Sequence, residues 1–277
     1  MASIFKYLPP DRSSFLVDGL IRFTPPGALN DPYECLPALP DDLEQLALIK
    51  LRQSIIDDLK PSSIDDRNTR RAKAAQLKSA MKRLDSNLKK NPGFFRDEFY
   101  RHTSSRLDNN LGILSLSRRW NSALMWSHYT SSYAGFCVGF NKDHLFFEGV
   151  PDTKGERFPL SAVRYSEHRT LIREQRLGHD ESINVLLTKS IDWSYEEEER
   201  LVSFLDVADV TKKFAPFNVH LFKVPFQAID ELIVGHRASD EVREQIISAS
   251  KRLGVPAYET KISSSSFDVE KKLLSPR

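Results

Sequence analysis

The chain has 277 residues, of which 28% are charged and 40% apolar, with a formal net charge of +2. This is the balance of a globular protein able to bury an ample core, and no apolar run approaches the roughly 20 residues that a membrane-spanning helix needs. Cys35 and Cys137 show neither zinc-like spacing nor a CxxC pattern, and the N-terminus lacks the features of a secretory signal, so a reduced, cytoplasmic protein with no membrane partner is expected.

In chain order, short strands are expected at about 4–7 and 20–24, with loops at Pro9-Pro10-Asp11 and Pro25-Pro26-Gly27. Asn30-Asp31-Pro32 reads as an Asx turn holding the loop after the second strand. From about 41 to 108 the pattern becomes helical. Leu43, Leu46 and Ile49, continued by Leu51, Ile55 and Leu59, mark one helix, and Leu77, Met81, Leu84 and Leu88 mark a second. Phe94, Phe95 and Phe99 begin a third, after the break at Asn91-Pro92-Gly93.

This insertion is basic. Between Arg67 and Arg106 twelve Lys or Arg stand against three acids, a local balance of +9, which leaves −7 for the remainder of a chain whose net charge is +2. Such a face would suit a nucleic acid or another acidic partner, although no aromatic residues are interleaved to stack bases, and a merely solvated basic helix is the plainer alternative.

Further strands are expected at about 112–117, 135–140, 160–165, 200–206, 219–224 and 229–235. Ser239 caps a helix to about Arg252, a last strand follows over 255–262, and residues 263–277 read as a polar, loosely held tail. Strands and helices do not strictly alternate. The fold class is therefore α+β, a mixed and mainly antiparallel sheet in one domain over 1–262, with the helical insertion at about 41–108. No GxGxxG follows a strand and no Walker loop is present.

Two stretches concentrate chemistry. Residues 115–129 combine Ser115 and Ser117 on a short strand and Trp120 after it with Met125, Trp126, His128 and Tyr129 on a helix that Asn121 or Ser122 can cap. A buried Trp-Met-Tyr face is the plain reading of that helix, and a packing role for His128 is as plausible as a functional one. Residues 189–205 run four consecutive glutamates, Glu196 to Glu199, into an apolar strand beside Trp193, Tyr195 and Arg200. Like charges so close repel, and burial would raise the pKa of one of them.

Several motifs in this order are similar to a bacterial family, domain-of-unknown-function family 2971. They are Phe5-Lys6-Tyr7, Leu20 to Pro25, Leu29-Asn30-Asp31-Pro32-Tyr33-Glu34, Met125-Trp126-Ser127-His128-Tyr129, Gly135 to Phe140, and Lys189 with Trp193-Ser194-Tyr195-Glu196-x-Glu198-x-Arg200-Leu201. The resemblance runs from about 4 to about 240, interrupted at the insertion, and implies no function.

A second resemblance, in the order of motifs, is to ADP-ribosyltransferases. In that family a first-strand Arg or His, a Ser-Thr-Ser-like strand and a Glu-x-Glu turn form the site for NAD. Here Lys6 stands where that Arg or His would be, Ser115-Leu116-Ser117 replaces Ser-Thr-Ser, and Glu196-x-Glu198 supplies the acids.

The resemblance implies NAD-dependent ADP-ribosyl transfer or NAD hydrolysis, with a bacterial toxin or phage-defence role. Glu198 would be the catalytic acid and Glu196 would orient the acceptor. Lys6, Tyr7, Ser115, Ser117, Trp126, His128, Tyr129 and Arg200 would bind NAD, with Tyr129 or Trp126 stacking on nicotinamide and Lys6 and Arg200 meeting the pyrophosphate. The alternatives are a non-enzymatic nucleotide- or nucleic-acid-binding module and a metal-dependent hydrolase or nuclease. The latter is weakened by the scatter of the seven histidines and the lack of His-x-His or HExxH spacing.

Overall fold

The structure is a computed structural model describing residues 3–62, 64–172 and 179–274. The N-terminal apolar segment forms β1 (Ser3–Leu8), followed by α1 (Phe15–Asp18) and β2 (Leu20–Phe23). Three helices make up the insertion, α2 (Leu43–Leu59), α3 (Arg67–Lys90) and α4 (Phe94–Asn110), within two residues of the expected span. Asp66 starts α3 by accepting from the backbone amides of Asn68 and Thr69 at 2.7 and 2.9 Å.

Next come β3 (Leu111–Ser117), α5 (Ala123–Tyr129) and β4 (Phe136–Asn141). The short elements β5 (Ser161–Ala162), β6 (Arg164–Ser166), α6 (His179–Leu186) and β7 (Thr188–Ser190) lead into β8 (Glu198–Phe204). The chain then forms β9 (Val210–Lys212), β10 (Val219–Lys223) and β11 (Ile229–Val234). It closes with α7 (Asp240–Leu253), β12 (Ala257–Ile262) and β13 (Val269–Leu273), and Ser239 caps α7 as its sequence implies.

Eight strands pair in one sheet, in the order β13-β12-β11-β4-β1-β3-β8-β5. Within it β11 and β12 are parallel, linked through α7, and the other neighbours are antiparallel. A smaller antiparallel sheet, β2-β10-β9, and a parallel pair, β6-β7, complete the α+β arrangement.

Alternation along the strands sends residues to two covered faces. Ile4, Leu8, Leu114, Leu116, Val138 and Leu201 join Phe15, Phe23, Phe222 and Ile246 in the main core. On the other face Phe5, Tyr7, Cys137 and Ile233 pack against Met125 and Trp126 of α5.

Two expectations are corrected. The strand at about 160–165 is split, because β5 pairs with β8 while β6 pairs with β7. The region after 263 is not wholly a loose tail, since Val269 to Leu273 pair with Ile262 to Tyr258 and Val269 is buried. Its charges conceal an edge strand, where Lys and Glu are favoured because they discourage pairing with another chain. Residues 275–277 of that tail lie outside the described residues. Among the described residues, no helix is long and apolar enough to cross a membrane.

Gly135 enters β4 where a Cβ would lie 2.1 Å from the Leu8 carbonyl oxygen. Gly135→Ala is expected to destabilise the sheet by about 1–3 kcal/mol, the usual cost of forcing atoms into a packed site. A lowered Tm in thermal unfolding checks this.

Candidate functional site

The site begins with strand register. Ser115 lies opposite Arg200 and Ser117 opposite Glu198, so two hydroxyls, a guanidinium and a carboxylate share one face of the β3–β8 pair. β1 lies on the other side of β3, and the Lys6 ammonium donates to the Ser115 carbonyl at 2.8 Å.

The glutamate run enters this face through a turn. Residues Ile191–Glu196 form a 3-10 helix capped by Ser190, and Glu197 at its end has φ 43°. That left-handed residue redirects the chain into β8, which lets Glu196 and Glu198 converge on one partner. The four acids then separate. Lys189 Nζ lies 2.6 Å from Glu196 and 3.0 Å from Glu198. Glu197 turns toward Arg118 and Arg119 at 3.8 and 3.5 Å, and Glu199, on the opposite face of β8, meets Lys142 at 2.7 Å. Every carboxylate of the run has a cation beside it, Glu196 and Glu198 sharing Lys189, which relieves the repulsion expected of the run.

A fifth carboxylate completes the cluster. Asp31 Oδ1 accepts from the Tyr33 amide at 2.9 Å, the Asx turn expected of this loop, and its carbonyl accepts from the Glu34 amide at 3.1 Å. Glu34 is thereby brought 3.2 Å from Lys189 Nζ and into contact with Arg200 Nη2. Arg200 also donates to Glu198 from Nε at 2.8 Å and from Nη2 at 3.1 Å, and to the Leu186 carbonyl at 2.6 Å. Glu34, Lys189, Glu196, Glu198 and Arg200 are all buried. Three carboxylates therefore face two fixed cations, an excess of one negative charge.

Burial alone would raise the Glu198 pKa, but Arg200 and Lys189, with hydrogen bonds from Arg200 and Ser115, bring it down to about 2. Glu196 moves the opposite way, raised by burial and by Glu198 against the pull of Lys189 and Tyr129. Burial opposes the charge on Lys189 as well, yet Glu198, Glu34 and Glu196 together push its pKa above that of an ordinary lysine. Lys6 is lowered to about 8 by burial despite the nearby Glu198 and Glu196.

An aromatic layer covers the ions. The Tyr129 hydroxyl donates to Glu196 at 2.5 Å and accepts from the exposed Asn30 amide at 3.3 Å. His128 is exposed, with Nδ1 3.2 Å from the Tyr195 hydroxyl, and the half-buried Trp193 ring lies 4.9 Å from Lys189 Nζ. On the far side, Arg200 also borders a cleft of about 1340 Å³ between the insertion and β8, walled by Phe95, Phe99, Leu107, Leu186 and Val202.

The structure thus brings together Lys6, Ser115, Ser117, His128, Tyr129, Glu196, Glu198 and Arg200, with Ser117 and Arg200 turned to other partners than the sequence suggested. Trp126 is fully buried, donates from Nε1 to the Trp120 carbonyl at 2.7 Å and packs edge-on to Tyr7, so it is core rather than a stacking surface. Tyr7 is likewise buried, and its hydroxyl donates to the Arg119 carbonyl at 2.8 Å. Ser117 donates to the Glu196 carbonyl at 2.6 Å and so clamps the turn rather than facing a ribose. Arg200, 0% exposed and saturated by protein acceptors, is withdrawn from any pyrophosphate.

Sequence reasoning did not assign Glu34, Lys189, Asn30, Trp193, Tyr195 or Tyr165 to the NAD site, although Trp193 and Tyr195 flank the acids as stacking surface and the Asn30–Glu34 loop belongs to the metal-site alternative. All but Tyr165 lie inside the motifs that carry the family resemblance. Tyr165, whose hydroxyl accepts from the Glu198 amide at 2.7 Å, gave no signal. Among the described residues no group of three or more His, Cys, Asp or Glu is disposed to hold a metal ion, and Lys189 and Arg200 occupy the space between the clustered carboxylates.

Residues 125–201 match the family model described as "Protein of unknown function (DUF2971)", the family that the motifs resemble. The match spans α5 through the start of β8, and therefore Tyr129, Lys189, Glu196, Glu198 and Arg200. No curated protein and no solved structure matches the chain.

Replacing Lys189 by Met leaves three buried carboxylates to Arg200 alone, and is expected to cost about 3–5 kcal/mol at pH 7. The pH signs differ between the two proteins. Glu198 has a folded pKa below its ordinary value of 4.5, so in the wild type its stabilisation is complete above about pH 5 and is lost as pH falls toward 2. In Lys189→Met, protonation relieves unpaired carboxylates, so the loss on acidification shrinks or reverses. Urea unfolding at pH 7, 5 and 3 measures both effects. A variant as stable as wild type at pH 7 would show that the cluster does not hold the fold.

Proposed function

We propose that this protein cleaves the nicotinamide–ribose bond of NAD, for ADP-ribosyl transfer or NAD hydrolysis. The observation that carries the reading is the convergence of Lys6, the Ser115–Ser117 strand and Glu196-x-Glu198 on the neighbouring strands β1, β3 and β8, beneath a half-exposed aromatic layer. In the reaction the C1′–N bond breaks and its electron pair leaves with neutral nicotinamide. The positive charge left at C1′ is captured by water or an acceptor nucleophile, whose proton goes to a base. Once Lys6 has lost its proton the site has one excess carboxylate, and, screened from water, it stabilises that developing charge more than it stabilises the substrate.

The geometry favours Glu196 over Glu198 for contact with substrate. Glu198 accepts twice from Arg200 and once from Lys189, whereas Glu196 is held by Lys189 and by the half-buried Tyr129. A ribose hydroxyl taking the place of the Tyr129 hydroxyl would reach Glu196, and burial beside Glu198 raises its pKa, which strengthens it as a proton acceptor. Tyr129, His128, Tyr195 and Trp193 offer the ring surface for nicotinamide, and Asn30 an amide partner. Lys6 opposes the C1′ charge while protonated, so turnover rises as pH passes about 8.

The test is release of free nicotinamide from NAD, with water, nucleic acid and cell lysate as acceptors. Glu196→Gln is expected to lose at least 100-fold while unfolding within a few degrees of wild type, and Lys6→Met to lose the rise near pH 8. Glu198→Gln would lose activity together with stability, so it does not discriminate. No release by the wild type with any acceptor, or an unchanged rate in Glu196→Gln, would refute the proposal.

A further inference from the structure

The helix α3 carries nine Lys or Arg and one acid in 24 residues, and none of its residues is buried. At 100° and 1.5 Å per residue, Arg67, Arg71, Lys78, Lys82 and Lys89 fall within an arc of about 60° along about 33 Å. All five are exposed, and among the described residues none is in an ion pair. The one acid of the helix, Asp85, lies within the same arc, four residues before Lys89, and its charge is taken by Arg52 of α2 at 2.6 Å, while Lys73, off the stripe, is taken by Asp65. Leu77, Met81, Leu84 and Leu88 are half-buried on the side that packs against α2, and the stripe lies about 100° around the helix from them, an exposed flank of a docked helix.

A helix needing only solubility would interleave acids at i±4, because like charges at that spacing destabilise it by about 0.2–0.5 kcal/mol per pair. Here Arg67 faces Arg71 and Lys78 faces Lys82 with nothing between. By contrast α7 mixes Asp240, Glu241 and Glu244 with Arg243, Lys251 and Arg252. With Asp85 balanced by Arg52, no other acid of α3 offsets that repulsion, and an external polyanion would.

We infer that the α3 stripe is a binding surface for the phosphate backbone of duplex nucleic acid. The stripe has the line of separated cations that a row of phosphates complements. It carries no aromatic to stack a base, so binding is independent of sequence and does not favour single strands. This inference stands apart from the NAD reading.

Fluorescence anisotropy with a mixed-sequence duplex of about 20 base pairs tests it on the full chain. Five phosphate contacts give a log–log salt slope of about −4.5, or an affinity loss of about 500-fold between 50 and 200 mM salt. The triple variant Arg71→Gln, Lys78→Gln, Lys82→Gln is expected to bind far more weakly, with the slope cut to about −2, and to unfold at the same temperature as wild type or higher. A control with the same net charge, Lys212→Gln, Lys213→Gln, Lys251→Gln, should bind as wild type does. The inference is overturned if the control loses as much as the stripe variant, or if the wild type does not bind at 50 mM salt. Binding of polyglutamate with no binding of duplex would overturn it in favour of an acidic protein partner.

Discussion

One ammonium group organises this molecule. Lys189 holds Glu34, Glu196 and Glu198 at 2.6–3.2 Å, and Arg200 closes the same network from β8. Those partners come from a loop after β2 and from the turn that leads out of β7 into β8, so a buried group that needs compensation ties together segments more than 150 residues apart in the chain. The arrangement is demanding because each ion is desolvated and tolerable only while the others are present. Apolar packing would hold the same segments with less risk, so the retention of ions here is better understood as setting the position of carboxylates than as adding stability.

That division of labour runs outward from the sheet. The inner layer consists of saturated ions and of backbone clamps such as Ser117 and Tyr165, whose partners are main-chain groups of the glutamate turn. The outer layer consists of Tyr129, His128, Trp193 and Tyr195, which are partly exposed and linked by single hydrogen bonds or ring contacts. Rigidity below and freedom above is the pattern that preorganised sites share. Glu196 lies at the seam, held from one side by an ammonium and from the other by a phenol.

Much of this was legible in the sequence because it rests on local rules. An alternating pattern located β3, short apolar runs located β1 and β4, serine caps located α5 and α7, and the apolar repeats located the insertion. The Asx turn at Asp31 was readable from residue type alone. What could not be read was pairing at a distance. Nothing local links Glu34 to Arg200, or states that Trp126 and Tyr7 turn inward together while Tyr129, three residues after Trp126, stays half-exposed. Burial of Arg200 in particular contradicts its composition-based expectation, since an arginine is placed at the surface until its carboxylates are known. Strand β13 was missed for the converse reason, that an edge strand with charges on its outer side has the composition of a tail.

The glutamate run shows how position can outweigh identity. Four chemically identical residues have three fates: two enter one ionic cluster, one reaches across to surface arginines, and one pairs on the opposite face of β8. The left-handed backbone at Glu197 and the two-residue period of the strand decide which is which. A frameshift of the register by one residue, through loss or gain of a single glutamate codon in the run, would leave local composition and charge density almost untouched while exchanging inward and outward acids. For this stretch, then, sequence identity is a weak guide to equivalence among relatives, and homologous glutamates are better matched by their distance from Arg200 than by counting within the run.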